Sequence, residues 1–169
     1  MAKYDLRPPR RRARKIYLTQ AVNECPYTNL IQNLKITQPL QGLASDLTYL
    51  RYQGCFFYLE TAKDLFTREV LGCGLSDRHD HRLVWKTITQ AVYPNHSPQY
   101  FHFDQGKENL AQAVIGYWDR LGVRIFSVSD KGSPWQNGSQ ESFFGWFKVE
   151  MGDLNRFETL GELVEAIYA

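Results

Sequence analysis

Several features are scarce or absent in this sequence of 169 residues, and each absence excludes a class of protein. No hydrophobic run approaches the roughly 20 residues that a membrane-spanning helix needs, and no secretory signal pattern occurs. Cysteine is rare, and Cys25, Cys55 and Cys73 are scattered without a CxxC pair. These cysteines predict reduced, mostly buried thiols in a cytosolic protein rather than a disulfide framework.

The composition is that of one globular domain with an unevenly distributed charge. Hydrophobic residues make up 43% of the chain and aromatic residues 14%. This is enough for a hydrophobic core that needs no disulfide bonds or structural metal ions to stabilise it. The net charge is only +2, but the first 15 residues contain seven basic side chains against Asp5. The rest of the chain is therefore net acidic.

The basic tail, residues 1–15, is predicted to be disordered or extended until it meets a polyanion, because it cannot bury apolar surface. Each phosphate that it neutralises would add a salt-dependent contribution to nucleic-acid binding. A solubilising tail without a partner is the alternative. The candidate DNA-binding residues of the tail are Arg10, Arg11, Arg12, Arg14 and Lys15.

Beyond the tail, residues 16–41 predict a linker with short ordered pieces, and residues 42–169 predict the folded domain. Segments rich in Tyr, Phe, Leu and Val, with turn signals between the first three, predict five strands, and apolar residues at helical spacing predict the helices. The predicted strands are 44–51, 55–62, 69–75, 100–103 and 123–128. The predicted helices are 81–92, 108–121, one that opens near 138, and 156–168.

This order of elements predicts an α/β fold with a mixed five-stranded sheet. The first three strands form an antiparallel meander, and the last two, reached through helical crossovers, run parallel to the first. Helices are expected on both faces of the sheet. This layout is that of the ribonuclease-H-like fold, in which Asp46 of the first strand and Asp104 at the end of the fourth are neighbours.

A third carboxylate, Glu141, lies in the first turn of the helix that opens near residue 138. Asn137 and Gln140 predict a capping box at the start of this helix. At 3.6 residues per turn, Glu141 and Lys148 share one helical face. An ordinary solvated face is the alternative interpretation of this pair.

Three converging carboxylates would repel one another unless a cation lay among them. Ligand sets made only of oxygen favour hard divalent ions, chiefly Mg²⁺ or Mn²⁺. Two such ions can hold the attacking and the leaving oxygen on opposite sides of a phosphorus atom. The pattern therefore predicts a site that cuts or joins phosphodiesters.

Three strings in the same order carry a family resemblance: SDLTYL around Asp46, FHFDQG around Asp104 and SVSDKGSPWQNGSQESFFGWFK around Glu141. Together they resemble the integrase-type catalytic core of the insertion-sequence transposases encoded by a second (orfB) frame, which are related to retroviral integrases. The resemblance covers roughly residues 35–168. It implies a DDE triad at Asp46, Asp104 and Glu141 that binds two Mg²⁺ ions, with Mn²⁺ as a substitute. It also implies DNA strand cleavage and transfer, with Lys148 touching DNA near the site.

The resemblance further implies partners and a location. Transposon ends and target DNA would be the substrates, the chain would act as a homo-oligomer on DNA, and a helix-turn-helix partner protein would recognise the ends. A bacterial cytoplasmic location near the nucleoid follows. A nuclease of the same fold without strand transfer, and a truncated DNA-binding fragment without catalysis, are the alternatives.

Three departures from the family pattern stand out. Leu43 occupies a position where the family usually has tryptophan, three residues before the first aspartate. Thirty-six residues separate Asp104 from Glu141, one more than is common, and the extra residue is placed between 122 and 127. Family members also continue past the last predicted helix, so full transposition by this chain alone is not expected.

Other polar residues near the motifs have weaker assignments. Lys131, at the tip of the loop before the Glu141 helix, is a candidate phosphate contact. His102 and Gln105 flank Asp104 and are candidates to support the metal ligands, with a purely structural role as the alternative for His102. His79 and His81 are expected at the solvated start of a helix and not in a zinc site.

Overall fold

A computed structural model describes residues 25–92, 97–123, 125–130 and 134–169. The predicted basic tail and Lys131 lie outside these ranges. The strands are β1 (Gly42–Tyr52), β2 (Cys55–Asp64), β3 (Val70–Ser76), β4 (Tyr100–Phe103) and β5 (Ile125–Val128). The helices are α1 (His81–Ala91), α2 (Gln112–Arg120), α3 (Gly138–Met151) and α4 (Leu160–Tyr168).

The five strands form one mixed sheet in the order β3-β2-β1-β4-β5. β1 pairs antiparallel with β2, and β2 with β3, whereas β4 runs parallel to both β1 and β5. The predicted topology is confirmed, including the central position of β1. The carboxyl end of β4 therefore lies beside β1, as the placement of Asp104 next to Asp46 requires.

The first face of the sheet packs against α1 and α2. Asp80 caps α1, since its carboxylate accepts hydrogen bonds from the backbone N–H groups of Arg82 at 2.9 Å and Leu83 at 3.4 Å. Gly72 of β3 lets the helix approach closely, because a Cβ there would overlap the carbonyl oxygen of Thr87. The buried core of this face comprises Leu43, Ala62, Val84, Ile88, Ala91, Phe101, Phe103, Val114, Trp118, Val123, Phe126 and Val128.

The second face packs against α3 and α4 with a separate core. Its buried residues are Leu50, Tyr52, Leu59, Phe144, Met151, Leu154 and Leu163. Strand alternation assigns the odd-numbered Leu43 of β1 to the first face and the even-numbered Leu50 to the second. Asp46, also even-numbered, therefore belongs to the face that α3 covers.

Residues 25–41 lie against the domain rather than apart from it. The backbone N–H of Val128 donates to the carbonyl of Thr28 at 3.1 Å, and the rings of Tyr27 and Phe126 are 5.3 Å apart. The Ser127 hydroxyl accepts from the backbone N–H of Leu30 at 2.9 Å. The predicted linker thus includes a segment that extends the core beyond the outer edge of β5.

Two helices begin later than the hydrophobic pattern predicts. α2 starts at Gln112 instead of residue 108, because the preceding residues form a turn in which Asn109 N–H donates to the Gly106 carbonyl at 3.2 Å. α4 starts at Leu160 instead of residue 156, because the Thr159 hydroxyl accepts from Glu162 N–H at 3.2 Å and so begins the helix there. Apolar spacing alone does not mark either boundary.

All three cysteines are free. The expectation that they are mostly buried is wrong, since Cys55 is exposed at the hairpin and the other two are half-buried. In the described part of the chain, no helix combines the length and the hydrophobicity needed to cross a bilayer.

Candidate active site

Two aspartates lie on neighbouring strands of the sheet, Asp46 in the interior of β1 and Asp104 directly after β4. Asp46 Oδ1 accepts a hydrogen bond from the backbone N–H of Leu47 at 2.9 Å. Asp104, directly after β4, accepts from the backbone N–H of Gly106 at 2.9 Å and from the side-chain amide of Asn109 at 3.0 Å. Both carboxylates are thus fixed by backbone or by buried side chains, because the sheet and the β4–α2 turn determine their positions.

The charges of the candidate residues act on Asp46. Burial, repulsion from Asp104 and a smaller contribution from Glu141 together raise the pKa of Asp46 to about 7. Lys148 opposes these effects. All three carboxylates that the sequence singles out therefore lie close enough to interact electrostatically.

Glu141 lies in the first turn of α3, as predicted, and its side chain is exposed. The predicted capping box is wrong, because the Asn137 side chain makes no capping hydrogen bond and its buried amide nitrogen has no partner in the described part of the chain. Gln140 is drawn away from the helix end and into the protein. Glu141 therefore projects from a helix that tertiary contacts position.

The side chain of Gln140 holds α3 against the sheet. Its amide nitrogen donates to the carbonyl oxygen of Ala44 at 2.7 Å, and its oxygen accepts from the Thr61 hydroxyl at 3.3 Å. Gln140 is fully buried, so both hydrogen bonds are shielded from water. Ala44 is two residues before Asp46, so Gln140 ties the residue next to Glu141 to the strand that carries the first aspartate.

Lys148 lies near the same site. Its ammonium group is 5.0 Å from the centroid of the Tyr49 ring, and its charge interacts with Asp46. Partial burial lowers the pKa of Lys148, whereas Asp46 acts in the opposite direction. The predicted pairing of a carboxylate and an ammonium group on one face of α3 thus places a cation beside the acidic side chains.

The donor set fits a hard divalent cation at the two aspartates. Asp46 and Asp104 offer only carboxylate oxygens, and the pKa of Asp46 is raised first by burial and then by the charge of Asp104, which a cation would neutralise. Within the described ranges, no three His, Cys, Asp or Glu side chains are close enough together to form a complete metal-binding cluster. Glu141, which is exposed, would have to approach the aspartates to complete such a set.

The other predicted residues fall into different environments. His102 is almost fully buried, with one ring nitrogen 3.0 Å from the Ser127 hydroxyl and the other 3.0 Å from the Ser129 hydroxyl. Burial lowers the pKa of His102 to about 4. These hydroxyl contacts tie β4 to β5. Gln105 is half-buried in the turn after Asp104.

The two histidines of the DRHDH string are separated in the structure. His81 is exposed at the first position of α1. His79 stacks on Tyr58 with ring centroids 5.1 Å apart, and its Nε2 lies 2.8 Å from a carboxylate oxygen of Glu108. His79 thus packs over β2 and contacts the acidic end of the turn before α2.

Sequence reasoning missed two residues beside the aspartates. Asn109, almost fully buried, orients Asp104 directly. Glu60 of β2 is completely buried, and neither carboxyl oxygen has a hydrogen-bond partner in the described part of the chain. Burial, followed by repulsion from Asp46, raises the pKa of Glu60 well above its ordinary value. The signal in the sequence was an acidic residue at a core-facing position of a predicted strand.

Comparisons with known proteins agree with this fold. The Integrase core domain family model matches residues 36–134. The transposase for insertion sequence element IS904 of Lactococcus lactis subsp. lactis (strain IL1403) is 31% identical over 144 residues, which cover 83% of this chain and 56% of that protein. The putative transposase InsK for insertion sequence element IS150 of Escherichia coli (strain K12) is 31% identical over 143 residues, covering 82% of this chain and 50% of that protein. The chain thus spans about half the length of these two relatives.

Two solved structures show the same fold. The simian T-cell lymphotropic virus intasome, in complex with PP2A regulatory subunit B56 gamma, contains a chain that matches with a TM-score of 0.67 and 16% identity, covering 89% of this chain and 54% of that one. The HTLV-2 integrase catalytic core domain, in complex with magnesium, matches with a TM-score of 0.53 and 15% identity, covering 76% of this chain and 82% of that one. At these identities the likeness concerns the fold alone, which is that of retroviral integrase cores. The family model matches more than half of the residues of this chain. The chain therefore belongs to the integrase core domain family, as the resemblance to insertion-sequence transposases predicts.

Proposed function

We propose that this chain is the catalytic core of a DDE transposase that cleaves a DNA strand and directs the resulting 3′-hydroxyl at a second phosphodiester. The observation that supports this most strongly is the electrostatic interaction of Asp46 with Asp104, Glu141 and Lys148. The three acidic groups come from β1, the end of β4 and α3, and the basic group comes from α3 as well. Carboxylates crowd in this way where a divalent cation is bound.

Each residue has a distinct role in the proposed reaction. Asp46 and Asp104, fixed at the sheet, would share one divalent ion, and Glu141 would complete the site for a second. The bound ions would supply the acidity that activates the attacking oxygen and would screen the phosphate charge. Lys148, beside the acidic site, would bind a neighbouring phosphate and hold the strand in position.

The relatives named as insertion-sequence transposases support DNA as the substrate, and the magnesium in the HTLV-2 core structure supports Mg²⁺ as the cofactor. The basic tail of residues 1–15 would add DNA affinity. Residues 42–169 would form the catalytic unit, acting as an oligomer on paired DNA ends in the bacterial cytoplasm.

The decisive experiment compares Glu141→Gln with Glu150→Gln, an exposed glutamate on the same helix. We expect Glu141→Gln to lower strand cleavage in Mg²⁺ by about a thousandfold or more while DNA binding stays nearly intact. Glu150→Gln should retain activity. Loss of binding together with cleavage in Glu141→Gln would mean that the residue is structural and would contradict the proposal.

A second assay separates strand transfer from simple hydrolysis. A pre-cleaved DNA end with a free 3′-hydroxyl, incubated with target DNA and Mg²⁺, should yield joined products. Cleavage without joining would identify a nuclease, and binding without either reaction would identify a non-catalytic DNA-binding fragment.

A further inference from the structure

An open pocket of about 430 Å³ lies between the end of β2 and the first turns of α3. It is separate from the face of α3 that carries Glu141 and Lys148. Its lining residues are Lys63, Arg68, Gly138, Ser139, Ser142, Phe143 and Trp146. Two of these side chains are cationic and two are aromatic, and none of the described residues that line the pocket is acidic.

Lys63 is a buried cation in this pocket. It is 5% exposed, and its ammonium group donates to the carbonyl oxygen of Ser139 at 3.0 Å and contacts the Ser139 hydroxyl at 3.3 Å. The same group lies 5.0 Å from the centroid of the Phe143 ring. No carboxylate pairs with it in the described part of the chain. A buried ammonium group without a counter-ion favours the binding of an anion.

Arg68 adds a second positive charge at the rim. It is exposed in the turn after β2, where its backbone N–H donates to the Asp64 carbonyl at 2.9 Å. The Asp64 carboxylate accepts hydrogen bonds from Phe66 and Thr67 in the same turn. The turn thus fixes the backbone of Arg68 beside Lys63, and repulsion from Arg68 contributes to lowering the pKa of Lys63.

Trp146 supplies a large apolar surface on the opposite side of the pocket. It is 68% exposed although tryptophan is among the most costly side chains to leave in water. An exposed indole beside paired cations has the chemistry of a stacking platform for a nucleic-acid base with its phosphate nearby. Phosphate and base together are the features of a nucleotide.

We propose that this pocket binds one nucleotide of a DNA strand, with the phosphate at Lys63 and Arg68 and the base stacked on Trp146. The inference rests on the proposed function, because it extends the DNA-binding surface around α3 from the acidic site. Ser142, which lines the pocket, directly follows Glu141. Successive helix residues point about 100° apart, so Ser139, Phe143 and Trp146 lie on the side of α3 away from Glu141 and Lys148. A strand leaving the acidic site would therefore pass around the helix, which is about 10–12 Å in diameter, to reach the pocket.

The test measures binding of the full chain to a fluorescein-labelled single-stranded oligonucleotide by anisotropy, in EDTA and over a range of salt concentrations. Trp146→Ala should weaken binding roughly five- to a hundredfold, with little change in the salt dependence. Trp146→Phe, which keeps a stacking ring, should recover most of the affinity. Arg68→Ala should instead reduce the slope of log K against log salt by about 0.7, the value of one phosphate contact on a single strand.

Two variants serve as matched controls. Val149→Ala removes another highly exposed apolar residue of α3 outside the pocket, and Arg78→Ala removes an exposed arginine from the loop before α1. Neither should change DNA affinity by more than about twofold. Wild-type affinity in Trp146→Ala, or equal losses in Trp146→Ala and Val149→Ala, would overturn the proposal. It would also be overturned if Trp146→Ala altered self-association in sedimentation while DNA affinity stayed the same.

The outcome is independent of the proposed catalysis, because the binding assay contains no divalent metal. A chain that binds DNA through Trp146 but never joins strands would contradict the proposed function and leave the pocket assignment intact. A chain that joins strands but binds equally well after Trp146→Ala would contradict the pocket assignment alone.

Discussion

The two faces of the sheet are built differently. The face against α1 and α2 is a closed apolar core in which glycine at position 72 allows helix and sheet to meet without a gap. The face against α3 carries Asp46, His102 and the hydrogen bonds of Gln140 as well as its own apolar cluster. β1 contributes to both.

One face of the sheet thus contributes mainly to the stability of the fold, and the other carries the candidate active-site residues. Close packing on the apolar face makes the strands rigid. Because the strands are rigid, charged side chains on the polar face stay close together although they repel one another. Glu60 does not fit this division between an apolar and a polar face. Its carboxyl group is completely buried, and neither oxygen has a hydrogen-bond partner among the described residues. Its raised pKa favours the neutral form, which limits the cost of burial.

The largest effect is expected on the closed face. Gly72→Ala should lower the free energy of unfolding by about 3 kcal/mol, because the new Cβ would overlap the backbone carbonyl of Thr87, which cannot turn aside as a side chain can. Urea denaturation measures the change. A loss under 1 kcal/mol would show that α1 is not held as tightly as the packing indicates.

On the polar face, His102 should make stability depend on pH. Burial lowers the pKa of the folded imidazole from its ordinary value of 6.5 to about 4, so the stability that the neutral ring provides is present above pH 6.5 and is lost as the pH falls towards 4. The loss should be on the order of 3 kcal/mol. The measurement is the difference in unfolding free energy between wild type and His102→Gln at pH 7 and pH 4.5. The raised pKa values of Asp46 and Glu60 act in the opposite sense but are common to both proteins and cancel in this difference.

A matched control for this experiment is His81→Gln, which removes an exposed histidine. Its stability should follow that of the wild type over the whole range. If His102→Gln and the wild type lost stability in parallel as the pH fell, His102 would not be the group responsible.

A smaller effect is expected of pH on the affinity for divalent ions. Because a proton competes with the metal for Asp46, whose pKa is about 7, Mg²⁺ or Mn²⁺ should bind about tenfold more weakly at pH 6 than at pH 8. The metal-induced rise in melting temperature measures this. Asp46→Asn should abolish the pH dependence. Equal shifts in melting temperature at the two pH values in the wild type would exclude Asp46 as a ligand.

The smallest expected change in stability is for a glycine on the exposed side of α3, where, unlike at Gly72, there is room for a side chain. Apart from the neighbouring backbone of α3 itself, no atom of the described residues lies within 4 Å of a Cβ built at Gly145. Gly145→Ala should therefore stabilise the protein by about 0.5–1 kcal/mol, since alanine favours the helix. Destabilisation in thermal unfolding would mean that this face of α3 is covered in solution.

The sequence predicts the sheet well because its signals are local. Turn residues and segments rich in Tyr, Phe, Leu and Val mark the strands, and the crossover rules then place β4 beside β1. Asp46 and Asp104 could be placed together for this reason. Their catalytic role, and that of Glu141, stays a prediction.

The sequence predicts poorly whatever depends on packing between distant segments. Asn137 and Gln140 match the capping-box pattern, but Gln140 gains more from two buried hydrogen bonds to the sheet than from the helix end. Asn109 lies inside a predicted helix, yet its contact with Asp104 belongs to a turn. The partners of Gln140 are distant in the sequence, so no local pattern reveals them, whereas Asp104 is close to Asn109 and the helical spacing concealed the turn between them.

The side chain of Gln140 has a consequence for how the domain tolerates insertions. Its hydrogen bonds fix the position of α3 relative to β1 and β2. The position of Glu141 over the sheet therefore does not depend on the length of the connection from β5 to α3. The same holds for an additional residue earlier in the chain, such as the one that the sequence places between 122 and 127, which need not displace the glutamate. A one-residue difference in spacing between the second aspartate and the glutamate is then compatible with an unchanged arrangement of the acidic side chains.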